Sequence, residues 1–166
     1  MDVPIFALKE LGIDFIHKFS ADNCPKSVKT ISANFKPERL YKDMQEALEK
    51  EGEDQLDVFI AGTPCQPVSQ SGLGKGLEDE KDGDVLFTVL KFINEKTPRT
   101  FILENVVGLK HHDNGKTLAL ILNMLRESKK YNVQETVLNT AKKRCAPKPP
   151  ESIHCWNPER CRCWNL

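Results

Sequence analysis

The sequence lacks any apolar run near the roughly 20 residues that cross a bilayer, so a membrane-spanning helix is excluded. Net charge is missing as well. With 24 basic against 24 acidic side chains, the chain is not a strongly basic nucleic-acid binder. Its start, MDVPIFALKELG, has neither the basic cluster nor the small-residue cleavage site of a secretory signal. An intracellular protein is expected: nuclear in a eukaryote, cytoplasmic or nucleoid-bound in a bacterium. Reduced cysteines follow, and no disulfide framework is expected. Internal repeats and low-complexity blocks are absent too. What remains is 166 residues, 39% apolar and 29% charged, enough for one globular domain with a real core.

The distribution is less ordinary than the totals. Cys24 and Cys65 stand alone, whereas Cys145, Cys155, Cys161 and Cys163 crowd the carboxyl end with both tryptophans, Trp156 and Trp164. Residues 142–166 carry a net charge of +4 and residues 1–141 a net charge of −4. The tail is a different kind of sequence.

Periodicity predicts alternating strands and helices. Ile5, Leu8 and Leu11 fall at helical spacing before Gly12. Residues 13–20 read as a strand, Pro25 opens a helix to about Phe35, and 38–42 is a strand followed by a helix to Lys50. LDVFIAG (56–62) reads as a buried strand, and a polar, Gly-rich loop follows to about Gly83. Helices at 84–96 and 116–129 and strands at 99–104 and 132–138 complete the pattern. The implied class is α/β, with a parallel sheet whose ligands bind at the carboxyl ends of the strands. Asp22, Asp43, Cys65 and Glu104 all fall just after predicted strands.

Cys65 lies in Ala-Gly-Thr-Pro-Cys-Gln-Pro, where two prolines brace a turn and Gly62 admits close approach to the backbone. A thiol there is either a nucleophile or a free cysteine on a turn. Glu104 ends the run TFILE, and partial desolvation would raise its pKa and suit it to proton donation. Alone, it could equally be a capping or ion-paired glutamate. Gly72–Gly76 lacks the spacing of a phosphate loop, and His111-His112-Asp113 reads as a solvated loop, so no metal is expected.

Together, Pro-Cys-Gln and Glu-Asn-Val, 39 positions apart and each after a strand, resemble the cytosine-5 DNA methyltransferases. SQSGLGKGLEDEKDGDVLF resembles that family's DNA-closing loop, and HHDNGKTL and VLNT its next segments, so the likeness runs from about residue 2 to 141. The resemblance implies a Rossmann-like S-adenosylmethionine-dependent methyltransferase domain. It implies Cys65 as nucleophile towards carbon 6 of a cytosine flipped out of DNA, and Glu104 as the acid at ring nitrogen 3. It places Asp22 at the cofactor ribose, Asp43 at the adenine amino group, and the backbone of Gly62 and Pro64 against the cofactor. Ser69 and Ser71 would touch DNA. Asp22 and Asp43 could also be plain helix caps.

Three departures accompany the resemblance. The family's Phe-x-Gly-x-Gly loop and its strand are missing, so the domain is expected to be truncated and to lack its first strand. Val68 stands where a larger apolar or aromatic residue is usual. After Lys143 the arginine motif and the target-recognition domain do not appear. Residues 1–141 are therefore read as a partial catalytic domain and 142–166 as an aberrant, poorly ordered tail. His154, Cys155, Cys161 and Cys163 fit no common zinc spacing. Permitted codons for RCAPKPPESIHCWNPE, read one base later, give GVPQNRPRVFIVGIR, which contains the missing motif, so a shifted frame near Arg144 is expected. Little or no turnover is expected of the chain as written. Two alternatives stand beside the DNA enzyme: a non-catalytic methyltransferase-derived module, and a transfer-RNA cytosine-5 methyltransferase.

Overall fold

The computed structural model describes residues 3–52, 55–63, 85–127 and 129–138, with the backbone strand 151–156. Pro64, Cys65, Ser69 and Ser71 lie outside the described residues. The chain divides into two units, Met1–Gly52 and Glu53–Leu166.

The first unit alternates α1 (Val3–Glu10), β1 (Phe19–Ala21), α2 (Pro25–Asn34), β2 (Arg39–Tyr41) and α3 (Met44–Lys50). Gly12, at φ +66°, ends α1: its N–H donates to Lys9 O, and that of Ile13 to Leu8 O, both at 3.0 Å. This is the double closure for which a left-handed glycine is suited. Strands β1 and β2 pair in parallel, Phe19 opposite Arg39 and Ala21 opposite Tyr41. The expected strand 13–20 shrinks to three residues because its partner is short. Cross-strand bonding starts only at His17, whose carbonyl accepts from Glu38 N–H, and Ile16 is 70% exposed. At the other margin of the unit, the buried Glu51 carboxylate accepts from Tyr41 Oη at 2.8 Å and meets Arg39 Nε at 3.0 Å. Burial, and then the hydrogen bond to Glu51, push the Tyr41 pKa up.

The second unit holds β3 (Val58–Gly62), α4 (Val85–Lys96), β4 (Thr100–Asn105), α5 (Gly108–His111), a 3-10 turn (His112–Gly115), α6 (Lys116–Glu127), β5 (Asn132–Glu135) and β6 (Glu151–Trp156). Leu86, Val89, Leu90 and Ile93 of α4, and Ile121, Leu122 and Leu125 of α6, recur at three- and four-residue spacing and are buried. They pack with alternate residues of the strands: Phe59 stacks on Phe92 at 4.7 Å, and Phe101 meets Tyr131 edge-on at 4.9 Å. No helix among the described residues is long and apolar enough to cross a membrane.

The sheet order is β3-β4-β6-β5. Strands β3 and β4 are parallel, but β6 runs antiparallel to both β4 and β5, so the sheet is mixed rather than purely parallel. Residues 151–156 supply the strand between β4 and β5. Its sequence, ESIHCW, does carry a period-two signal, with Ile153 and Cys155 alternating with Ser152 and His154.

Candidate active site

Strand β4 alternates in burial, with Phe101, Leu103 and Asn105 buried and Thr100, Ile102 and Glu104 half-buried. The parallel register sets Gly62 opposite Glu104, both near the carboxyl ends of their strands. Glu104 lies one residue inside the strand rather than beyond it. A Cβ on Gly62 would stand 3.2 Å from Glu104 Oε2, so a larger residue would push the carboxyl aside by a few tenths of an ångström. Gly62, expected at the cofactor, also lies beside the acid.

Glu104 Oε1 is sealed from solvent and has no hydrogen-bond partner among the described residues. Burial pushes the Glu104 pKa up from the ordinary glutamate value. A carboxyl oxygen buried without a partner costs less as part of a neutral acid than of an anion, and the neutral acid is the state that can give up a proton.

Below the acid the two strand ends are tied together. Thr63 N–H donates to Glu104 O at 3.3 Å, and Asn105 Nδ2 donates to Thr63 Oγ1 at 2.8 Å. Asn105 Oδ1 accepts from Val106 N–H at 2.8 Å, which fixes the amide so that its NH2 faces Thr63. Both residues are buried. Neither was singled out from the sequence. The available signal was the two-residue period that places Asn105 on the same face as Phe101 and Leu103.

Asp22 and Asp43 follow the parallel strands of the first unit, at one end of the pair. Asp22 Oδ1 accepts from Cys24 N–H at 2.9 Å, and Asp22 N–H donates to Tyr41 O. Asp43 is the N-cap of α3, its Oδ1 accepting from Glu46 N–H at 2.8 Å, while Glu46 reaches back to Lys42 N–H. The capping role considered for Asp43 therefore holds. Both side chains are half-buried, and each has tied one carboxylate oxygen to the local backbone. Beside Asp22, the exposed Cys24 thiol is held below its usual pKa by hydrogen bonds to the backbone of Ser27 and Lys26. His112 Nδ1 lies 2.6 Å from Thr117 Oγ1, which engages the ring within the loop.

Comparison with known proteins gives a consistent result. Residues 6–144 match the family described as C-5 cytosine-specific DNA methylase. The chain is 38% identical over 149 residues to the type II methyltransferase M.HpaII of Haemophilus parainfluenzae, covering 89% of this chain and 40% of that protein. It is 34% identical over 133 residues to M.HhaI of Haemophilus parahaemolyticus, covering 80% and 39%. Among solved structures, a Spodoptera frugiperda DNMT2 variant superposes with a TM-score of 0.63 at 21% identity, covering 90% of this chain and 44% of the other. The S. pombe Dnmt2 methyltransferase gives 0.57 at 14% identity, covering 92% and 44%. These likenesses establish the Rossmann-like methyltransferase fold. The chain spans about two-fifths of the length of these two curated relatives.

Proposed function

Because the chain belongs to the C-5 cytosine-specific DNA methylase family, we propose that it carries the nucleophile and the acid of a DNA cytosine-5 methyltransferase, Cys65 and Glu104. The observation that carries this reading is the Glu104 carboxyl, with one oxygen buried and unpartnered among the described residues, at the end of the strand beside the one that leads into Cys65.

The chemistry explains why both groups are needed. Carbon 5 of cytosine is too poor a nucleophile while the ring stays aromatic. In the proposed reaction the Cys65 thiolate adds to carbon 6 of the flipped base, forming a C–S bond, as Glu104 delivers its proton to nitrogen 3. The electron pair of the 5,6 double bond becomes available at carbon 5, which takes the methyl group. Loss of the carbon-5 proton then restores the double bond and expels Cys65, and nitrogen 3 returns its proton to Glu104.

S-adenosylmethionine would supply that methyl group from its sulfonium. Asp22 and Asp43 suit the nucleoside part of such a donor. Each is a half-buried carboxylate held in place by one backbone N–H, at the end of a parallel pair where ligands of open α/β sheets bind. Ribose hydroxyls and an adenine amino group are donors that these acceptors match. Ser69 and Ser71, in the segment after Cys65, are proposed to contact DNA.

Single-turnover trapping tests the proposal. Incubated with S-adenosylmethionine and a duplex containing 5-fluorocytosine, the chain is expected to form a denaturation-resistant adduct that Cys65→Ala abolishes. The fluorine blocks the final elimination, so one event per chain suffices for detection. An adduct that persists in Cys65→Ala, or one formed on 5-fluorocytosine RNA and not on DNA, would overturn the assignment.

A further inference from the structure

The sequence motifs give Thr63 and Asn105 no task, yet these are the buried polar residues that join the two strand ends of the site. Asn105 is 7% exposed and Thr63 8% exposed. A buried amide would be a liability in an apolar layer, and this one is on the face shared with Phe101 and Leu103. Its groups are nevertheless answered. Oδ1 takes the N–H of Val106, and Nδ2 is thereby turned onto Thr63, 2.8 Å from Oγ1 and 3.4 Å from the carbonyl oxygen. The backbone bond from Thr63 N–H to Glu104 O runs beside this contact and extends the ladder past Gly62.

We propose that Thr63 and Asn105 act as a positioning couple that holds the Gly62 backbone against the Glu104 carboxyl and keeps water from its buried oxygen. The proposal rests on the reading of Glu104 as the acid. Three observations meet here. The register sets Gly62 opposite Glu104; a Cβ on Gly62 would come within 3.2 Å of the Glu104 carboxyl; and the side-chain tie lies one residue beyond both. Without the tie, the last rung is a single 3.3 Å backbone bond at the edge of the described strand, and strand ends fray.

The test uses the full chain and two readouts independent of methyl transfer. Hydrogen exchange at the Thr63 amide is expected to accelerate about tenfold in Thr63→Val and in Asn105→Ala, the loss of one buried hydrogen bond. Thr63→Ser, which retains the hydroxyl, should exchange like the parent. The Glu104 titration midpoint, followed through its side-chain carboxyl carbon by NMR, should fall toward the ordinary glutamate range in Thr63→Val and Asn105→Ala. It should stay raised in Thr63→Ser. The double variant should move the midpoint no further than either single one, since both remove the same contact.

A Glu104 midpoint unchanged in Thr63→Val, with the core still folded by amide dispersion, overturns the proposal. So does a double variant whose shift is the sum of the two single shifts. Should Asn105→Ala fail to fold, the Thr63→Val and Thr63→Ser pair decides alone. Neither result depends on adduct formation, so failure of the couple and failure of the methyltransferase reading are separable.

Discussion

Two carboxylates at the carboxyl ends of parallel strands meet opposite fates in this molecule. Asp43, after β2, caps α3 and gives one oxygen to Glu46 N–H. Glu104, at the end of β4, presses against Gly62 with one oxygen buried and unmatched among the described residues. The first arrangement holds the acceptor oxygen in place. The second favours the neutral acid. In the proposed reaction the two carboxylates would serve different ends: Asp43 as a fixed acceptor for a nucleoside, and Glu104 as a donor whose pKa burial pushes up.

The largest expected effect separates these roles directly. Glu104→Gln removes the proton donor while keeping size and polarity, and should slow adduct formation by about 10²–10⁴-fold, the usual worth of a general acid. Asp43→Asn keeps an oxygen for the cap but loses the charge, and should weaken S-adenosylmethionine binding by about tenfold. Rapid-quench trapping and isothermal titration measure the two quantities. Equal losses of binding in both variants would erase the distinction.

How much of this could be read from residues alone varied with the kind of signal. Helix ends were legible because punctuation is local: Gly12 closes α1, Pro25 opens α2 and Asp43 starts α3. Strand existence was legible from apolar runs such as VFIAG and TFILE. Strand length in the first unit was not, because pairing extends only as far as the partner does, and Arg39–Tyr41 is short. The strand at 151–156 was hidden by the odd composition around it, although its alternation was visible. At the site, the motifs pointed to Glu104, but the Gly62 contact and the Thr63–Asn105 tie are properties of a register. No single stretch of sequence contains a register.

Stability sharpens the comparison next. Asp43→Ala removes a cap and should cost about 1 kcal/mol in the unfolding of the first unit, read by urea titration followed at Tyr41. Glu104→Gln should act in the opposite direction. The Glu104 pKa is raised in the folded chain, so its contribution is fully present below the unfolded-state glutamate pKa and is lost as pH rises through the folded value. Above that window the parent holds a costly anion and Glu104→Gln does not. The variant should therefore be the more stable of the two above the folded Glu104 value and lose its advantage on acidification. A parent that gained on the variant as pH rose would contradict the buried acid.

The smallest effect belongs to the other end of the same two strands. There Arg99 Nη1 meets Asp57 Oδ1 at 2.9 Å, just before β4 and β3 begin. The Asp57 side chain is 77% exposed, so water and salt screen the pair, and holding two mobile side chains together offsets much of the attraction. Asp57→Asn should shift stability by less than about 0.5 kcal/mol, with no change in adduct formation. Thermal unfolding at low and high salt measures it. The backbone bonds from Arg99 N–H to Leu56 O and from Thr100 N–H to Asp57 O survive the substitution, so the register that sets Gly62 against Glu104 should survive with them. A charge in the open is nearly free to change. The uncharged tie between Thr63 and Asn105, sealed from water at the opposite end, is where a change of a few atoms should reach the acid.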